Sequence, residues 1–144
     1  MPQSREPRNV GVRNGAWGED VAVEALRLEG YVIIERNVRP CLRDRRLEID
    51  VVAYDREADA MVFVEVKQHK SHMRGESRIR SVDKGKMRNL RQACNAWRRR
   101  SKWQGGYRFD VVEVFGEPGR ARPEVDHVRG VRLFTTRERF VAWD

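Results

Sequence analysis

Two apolar runs separated by a short polar segment place the strongest constraint on how this chain folds. Leu47–Tyr54 has the sequence LEIDVVAY and Ala60–Lys67 the sequence AMVFVEVK, and both are rich in β-branched residues. The intervening Asp55–Asp59 segment has the length of a hairpin loop. The pattern predicts an antiparallel pair of strands in the middle of the chain.

A helix is predicted before this hairpin and another after it. The first begins near Asn14, has Gly30 as a suitable C-terminal cap, and places apolar residues at helical spacing: Trp17, Val21, Ala25 and Leu28. The second ends near Gly105 and Gly106 and has a longer apolar stripe: Val82, Met87, Leu90, Cys94 and Trp97.

Further strands complete the expected domain. Tyr31–Glu35 has the composition of a short strand, and Tyr107–Phe115 is predicted to lie parallel to its predecessor because a long helix connects the two. An edge strand within Val125–Phe134 and a final helical turn within Thr136–Trp143 would follow. The expected fold is α/β, with a mixed central sheet of about four to five strands flanked by helices in the order αβββαβ. Residues 14–144 would form this single domain, and residues 1–13 a disordered basic arm.

The charge of the chain points to a polyanionic partner. Lysine and arginine number 30 against 22 aspartates and glutamates, which gives a net charge of +8. Nucleic acid is favoured over an anionic membrane surface, and the alternative is charge that only maintains solubility. No stretch is apolar enough for a membrane span or a secretion signal, and Cys41 and Cys94 lack disulfide or zinc spacing. The expected location is the cytoplasm, without membrane association.

The hairpin strands carry the residues best suited to chemistry. Residues two apart in a strand point to the same face, so Glu65 and Lys67 project together, as do Glu48 and Asp50. Hairpin pairing can bring Asp50 beside Glu65. Two carboxylates held together favour a hard cation, Mg²⁺ or Mn²⁺, which would polarise a phosphodiester while Lys67 holds the nucleophile or neutralises charge. The alternative is an ordinary half-exposed strand with a solvated ion pair.

Other residues could extend this site. Glu19 on the first helix is a candidate metal-facing carboxylate, and Gln68 could orient the attacking water or a phosphate. The second helix is basic and is predicted to contact nucleic acid through Lys86, Arg91, Arg98, Arg99 and Arg100. Its last part, from Trp97 to Trp103, combines cations with aromatics, which suits phosphate contact and base stacking. The alternative there is a helix end whose cations complement the dipole and whose Trp97 packs in the core.

Several short segments occur in an order that resembles the YraN-like family, a group of uncharacterised predicted endonucleases similar to archaeal Holliday junction resolvases. They are Gly15-x-x-Gly18-Glu19, Gly30-Tyr31, Glu48-Ile49-Asp50, Phe63-Val64-Glu65-Val66-Lys67 and Arg108-Phe109-Asp110-Val111-Val112. The resemblance implies the PD-(D/E)xK, restriction-endonuclease-like fold. It also implies metal and catalytic positions at Asp50, Glu65 and Lys67, a helix carboxylate at Glu19 and a basic position at Lys86.

Two positions depart from the family pattern, and both lie beside the implied site. Leu47 occurs where the family usually has glycine, and His69 where it usually has arginine. We therefore expect altered substrate contacts with an intact centre. His69 and His72 are interpreted as solvated loop side chains rather than metal ligands.

The expected function is DNA binding with Mg²⁺- or Mn²⁺-dependent phosphodiester hydrolysis, on branched or otherwise structured DNA in repair or recombination. The alternative is a non-catalytic nucleic-acid-binding or assembly module that keeps the fold. An RNA-processing role is disfavoured by analogy alone. A homodimer would suit two-fold branched substrates, and no sequence feature predicts its interface.

Overall fold

The computed structural model describes residues 10–70 and 84–134, with side chains from residue 15 onward. Its elements in chain order are α1 (Val10–Leu28), β1 (Val32–Val38), β2 (Ile49–Asp55), β3 (Ala60–His69), α2 (Lys84–Ser101), β4 (Gly106–Phe115) and β5 (Glu124–Val128). The strands form one five-stranded sheet in the order β1-β2-β3-β4-β5. The predicted α/β fold with a mixed sheet is confirmed, and it is consistent with a restriction-endonuclease-like core.

The pairing directions in the sheet agree with the sequence patterns. Strand β2 pairs antiparallel with β3, from Val51 opposite Val64 to Asp55 opposite Ala60. Strand β3 pairs parallel with β4, as expected for strands joined through a helix. Strand β5 lies antiparallel to β4 at one edge of the sheet. It begins one residue before the predicted Val125–Phe134 region and ends inside it, at Val128.

The helices pack on opposite faces of the sheet, because alternate residues of the strands enter two separate apolar clusters. The α2 cluster contains Phe63, Leu90 and Trp97. The α1 cluster contains Val64 and Leu26. Side chains of one strand therefore point either to the α2 face or to the α1 face of the sheet.

Helix α1 differs from its prediction in two respects. It begins at Val10 rather than near Asn14, and Leu28 of the predicted stripe is 81% exposed. The buried face instead includes Ala22 and Leu26. Gly30, with a φ of 93°, ends the helix as predicted.

The elements β2, β4, β5 and the end of α1 meet at a buried ionic network. Arg108, 2% exposed, donates to Asp55 Oδ2 at 2.8 Å and to Asp110 Oδ1 at 3.0 Å. His127 bridges Asp110 Oδ2 at 2.7 Å and Glu29 Oε2 at 2.8 Å. Burial opposes the charge of Asp110, yet its hydrogen bonds to His127 and Arg108 hold its pKa below the usual range. The network ties edge strand β5 to the centre of the sheet.

Two predictions lie outside the described residues: the basic arm, for residues 1–9, and the helical turn within Thr136–Trp143. Neither helix of the described chain is long and apolar enough to cross a membrane.

Candidate active site

Asp50 and Glu65 meet where β2 separates from β3. The paired register ends at Val51 opposite Val64, and Asp50 lies one residue beyond it. Its Oδ2 accepts a hydrogen bond from the Val66 backbone N–H at 2.8 Å, so a carboxylate satisfies the donor at this point of the strand. The structure thus brings Asp50 to the Glu65 segment, as the hairpin pattern predicts.

Two lysines face the buried carboxylate of Glu65, which is 6% exposed. Lys67 Nζ lies 3.6 Å from Glu65 Oε1, in keeping with residues that share one face of β3. Lys86 Nζ lies closer, 2.7 Å from the same oxygen. Lys86 therefore stands at the carboxylate centre, whereas the sequence pattern led only to a nucleic-acid contact there. Its approach depends on how α2 packs over β3, which sequence periodicity does not specify.

The electrostatics of this group favour a neutral Asp50. Burial, and next the charge of Glu65, raise the pKa of Asp50 to about 8. Burial and the neighbouring Lys86 lower the pKa of Lys67. Burial opposes the charge of Lys86, but hydrogen bonding to Glu65 and Lys67 raises its pKa overall. The pKa values of Asp50, Lys67 and Lys86 are all shifted by burial and by neighbouring charged groups, which is typical of a catalytic cluster.

Glu19 approaches the same group from α1. Burial raises its pKa, Arg36 lowers it, and Glu48 raises it further. Its Oε1 atom is buried without a hydrogen-bond partner among the described residues. The charge of Glu19 also contributes to the raised pKa of Asp50. A buried acceptor with no donor is costly, so this carboxylate fits a site that receives a cation.

Gln68 lies against α1 at the end of β3. A Cβ atom placed on Gly18 would come within 2.6 Å of Gln68 Oε1 and 3.4 Å of its Cβ. The missing side chain at Gly18 therefore lets the Gln68 amide lie directly against the helix, one residue from Glu19. Gln68 follows Lys67 but points to the opposite face of the strand. Gln68 therefore lies on the α1 side of the sheet, next to Lys67 in the sequence.

An open pocket of about 440 Å³ gives access to the carboxylates. Its lining includes Asp50, Glu65 and Lys86, together with residues that the sequence did not single out for the site: Arg46, Gly85, Asn89 and Leu90. Glu48 also lines the pocket, which agrees with its predicted place on the Asp50 strand. No spacing rule would have found Arg46 or Asn89, because a loop and a helix carry them here.

The cations predicted to contact nucleic acid divide into engaged and exposed groups. Arg91 Nε donates to the Leu133 carbonyl at 3.0 Å, and Arg100 Nη2 donates to Glu35 Oε1 at 3.0 Å. Arg98 lies over the Tyr107 ring, 3.7 Å from its centroid. Arg99 is exposed. Trp97 is 3% exposed and packs in the core, as expected if this segment is an ordinary helix end and not a base-stacking surface. Nucleic-acid contact by these residues stays a prediction.

His69 does not join the carboxylate group, and it ends β3 with a largely buried side chain instead of lying solvated in a loop as predicted. His69 stacks on Phe115 with a centroid separation of 4.9 Å, and its Nε2 lies 3.5 Å from Glu113 Oε1. His72 lies outside the described residues.

The donor set of the site fits a hard divalent cation with substrate as a co-ligand. Among residues 10–70 and 84–134, no three aspartate, glutamate, histidine or cysteine side chains form a complete metal-binding group. Mg²⁺ commonly takes only one or two carboxylates and fills its shell with water and phosphate oxygens. Asp50 and Glu65 fit that pattern, and Glu19, whose charge acts on Asp50, has one buried oxygen without a hydrogen-bond partner among the described residues.

Comparison with known proteins places these residues in a family. Uncharacterised protein family UPF0102 matches residues 18–114, which span every predicted site residue from Glu19 to Arg100. The chain belongs to the UPF0102 family. This confirms the resemblance to the YraN-like group.

Individual UPF0102 proteins align over most of their length. A UPF0102 protein of Mycobacterium sp. (strain JLS) is 41% identical over 81% of this chain and 83% of its own. One from Streptomyces griseus is 40% identical over 81% of this chain and 93% of its own. One from Geotalea daltonii is 34% identical over 86% of this chain and 92% of its own. UPF0102 membership thus covers both helices and the site, and it carries no described activity.

Proposed function

We propose that this UPF0102 protein is a metal-dependent endonuclease that hydrolyses phosphodiester bonds of branched or otherwise structured DNA in the cytoplasm. The observation that carries the proposal is the meeting of Asp50 and Glu65 where β2 leaves β3, with Lys67 and Lys86 on the same carboxylate. This arrangement opens to solvent through a pocket that a phosphate group could enter.

The residues of the site have distinct proposed roles. Asp50, Glu65 and Glu19 would hold a Mg²⁺ or Mn²⁺ ion. When bound, such an ion supplies positive charge beside the phosphoryl oxygens and makes water a stronger acid. Lys67 would hold the attacking water or stabilise the extra negative charge on the phosphorus centre. Its lowered pKa suits a group that exchanges a proton during the reaction.

The two remaining polar groups would act around this centre. Lys86, 2.7 Å from Glu65, balances the carboxylate charge before substrate arrives and can then contact a phosphate oxygen. Gln68 would orient water or a phosphate from the α1 side, in the position that Gly18 leaves open. The net charge of +8 supports attraction of DNA to the pocket.

A second candidate function is a non-catalytic nucleic-acid-binding module. One observation favours it: Lys67 and Lys86 already compensate Glu65, so the carboxylate has cationic partners without a metal ion. A pure binder would hold DNA equally well with EDTA and would not require Lys67. Metal dependence therefore separates the two candidates.

The deciding experiment measures cleavage of labelled four-way, flapped, duplex and single-stranded DNA by purified protein with Mg²⁺, Mn²⁺ or EDTA. Asp50→Asn, Glu65→Gln and Lys67→Met remove charge at the site with little change in side-chain shape. Glu57→Gln is the matched control, because Glu57 is exposed in the hairpin loop at the far end of β2.

The proposal requires cleavage that needs metal, survives Glu57→Gln and falls at least about a hundredfold in the three site variants. The substrate cut fastest then identifies the DNA structure. Binding without cleavage under every metal condition, and equal in all variants, would replace the proposal with the binding module.

A further inference from the structure

A groove of about 550 Å³ lies at the C-terminal end of α2, apart from the carboxylate pocket. Its walls combine cations, amides and an indole ring: Asn95, Arg98, Arg99, Lys102, Trp103 and Gln104. It shares no lining residue with the carboxylate pocket. At 1.5 Å per helical residue, Arg99 and Lys102 lie roughly 20–24 Å along the α2 axis from Lys86.

Lys102 occupies a backbone position that normally selects glycine. Its φ is 58°, in the left-handed region, immediately after α2 ends at Ser101. The Trp103 backbone N–H donates to the Arg98 carbonyl at 3.2 Å, which closes the helix with a Schellman-type turn. A lysine here costs stability relative to glycine, and such costs are often retained where a side chain has a function.

Trp103 is held in one orientation at the groove. Its Nε1 donates to the Gly106 carbonyl at 2.9 Å, and its ring meets Tyr54 edge-on at a centroid separation of 6.0 Å. A Cβ atom on Gly105 would lie 2.5 Å from the Trp103 ring, so the glycine is needed for this placement. An aromatic ring fixed in this way offers a stacking surface with little conformational entropy to lose.

The three cations of the groove differ in whether their side chains contact other residues of the protein. Arg98 lies over the Tyr107 ring and forms part of the wall. Arg99 and Lys102 are exposed, and neither side chain has an ion-pair or hydrogen-bond partner among the described residues. Two unneutralised cations beside a fixed indole ring form the combination that proteins use for single-stranded nucleic acid, with phosphates on the cations and a base on the ring.

We propose that this groove binds an unpaired nucleotide of a DNA strand, with its base stacked on Trp103 and its phosphates at Arg99 and Lys102. The proposal rests on DNA as the partner proposed above and not on hydrolysis. It refines the substrate class: DNA with a single-stranded segment roughly 20–25 Å from the bond at the carboxylate pocket, as flaps and branch points provide.

The test measures binding by the full chain in EDTA, so the result is independent of catalysis. Fluorescence anisotropy compares a labelled single-stranded oligodeoxynucleotide with a blunt duplex over a range of salt concentrations. The variants are Lys102→Gly, Trp103→Leu and Trp103→Phe. Arg27→Ala is the control for charge, because Arg27 is exposed on α1 at the opposite face of the sheet.

Lys102→Gly separates function from structure, because glycine suits the left-handed turn better than lysine does. We expect its melting temperature to be unchanged or higher, while single-strand affinity falls about fivefold and the salt slope decreases by about 0.7. Trp103→Leu should weaken single-strand binding about tenfold with little effect on the duplex, and Trp103→Phe should retain most of the affinity. Arg27→Ala should change single-strand affinity less than Lys102→Gly does.

The proposal fails if Lys102→Gly leaves single-strand affinity at the Arg27→Ala level. It also fails if Lys102→Gly weakens duplex and single-strand binding equally while Trp103→Leu changes neither, since the groove would then contact only the backbone. If Trp103→Leu does not fold, Lys102→Gly decides the question by itself: selective loss of single-strand binding supports the proposal, and an equal loss or none refutes it.

Discussion

Lys86 Nζ lies 2.7 Å from Glu65 Oε1, so the first turn of α2 provides the closest cation to a buried strand carboxylate. Glu65 is 6% exposed, whereas the Lys86 side chain is 44% exposed. The lysine therefore links the interior of the site to the surface that DNA would reach. Lys86 also interacts electrostatically with Asp50, whose negative charge contributes to the raised pKa of Lys86.

Replacing Lys86 by methionine should change the titration of Asp50. Methionine keeps the unbranched side chain but removes the positive charge, so the pKa of Asp50 should rise above its already elevated value. Carboxyl ¹³C NMR during a pH titration measures this directly. Lys84→Met is the matched control in the same turn of α2. Identical titration of Asp50 in the two variants would contradict the assigned contact.

Asp50 should make the protein less stable as the pH rises. Its pKa is about 8 in the folded protein, above the ordinary value of 3.8, so the folded state binds this proton more tightly. Its contribution to the free energy of unfolding therefore falls from about pH 4 to about pH 8. Asp50→Asn should remove that loss and add up to about 5 kcal/mol to the free energy of unfolding at pH 9.

Urea denaturation at pH 5, 7 and 9 checks this prediction, with Glu57→Gln as the control for loss of an exposed carboxylate. Asparagine retains an oxygen that can accept the Val66 N–H, which limits structural change. A constant difference between Asp50→Asn and the parent protein across the three pH values would rule out the raised pKa.

Arg108→Met should strongly destabilise the fold. The substitution leaves Asp55 and Asp110 buried without their guanidinium partner, a loss that costs about 3–5 kcal/mol in comparable buried pairs. Arg120→Met is the control, because its 3.7 Å pair with Glu117 is exposed and should cost under about 0.5 kcal/mol. Urea denaturation of both variants gives the comparison. Equal midpoints would mean that the network adds no stability.

Gly18→Ala should impair the site more than the fold. Alanine favours the helix by up to about 1 kcal/mol, but its Cβ would displace the Gln68 amide. We expect near-normal thermal stability with cleavage reduced about tenfold. Gly15→Ala is the matched control, because nothing lies within 4 Å of a Cβ atom at that position. Equal cleavage by the two variants would exclude a role for Gln68 placement.

Local sequence patterns predicted the strands well and the site in part. The period of two along β3 places Glu65 and Lys67 on one face, and the hairpin brings Asp50 to them without knowledge of any distant contact. Lys86 was predicted to contact DNA and, by the family resemblance, to occupy a basic position on the second helix, but its contact with Glu65 depends on the packing of α2. Periodicity tells which face of a helix is apolar but not which strand residues meet its polar edge.

The remaining errors have similar long-range causes. Leu28 fits a helical stripe, yet a different face of α1, which contains the small residues Gly18 and Ala22, packs against the sheet. Arg108 and Asp110 were predicted only as part of a family motif, and the ionic network that buries them involves β5 and the end of α1. Neither partner lies near them in the sequence, so no local pattern could identify the network.

The Asp55–Asp59 loop between β2 and β3 has a consequence for evolution and engineering of this protein. Its length sets which residue of β2 stands opposite each residue of β3. An inserted residue that shifted this register by one would turn either Asp50 or Glu65 to the other face and separate the carboxylates, although the loop lies at the opposite end of the strands. Tolerance to insertions in this exposed turn should therefore be limited by chemistry that occurs far from it.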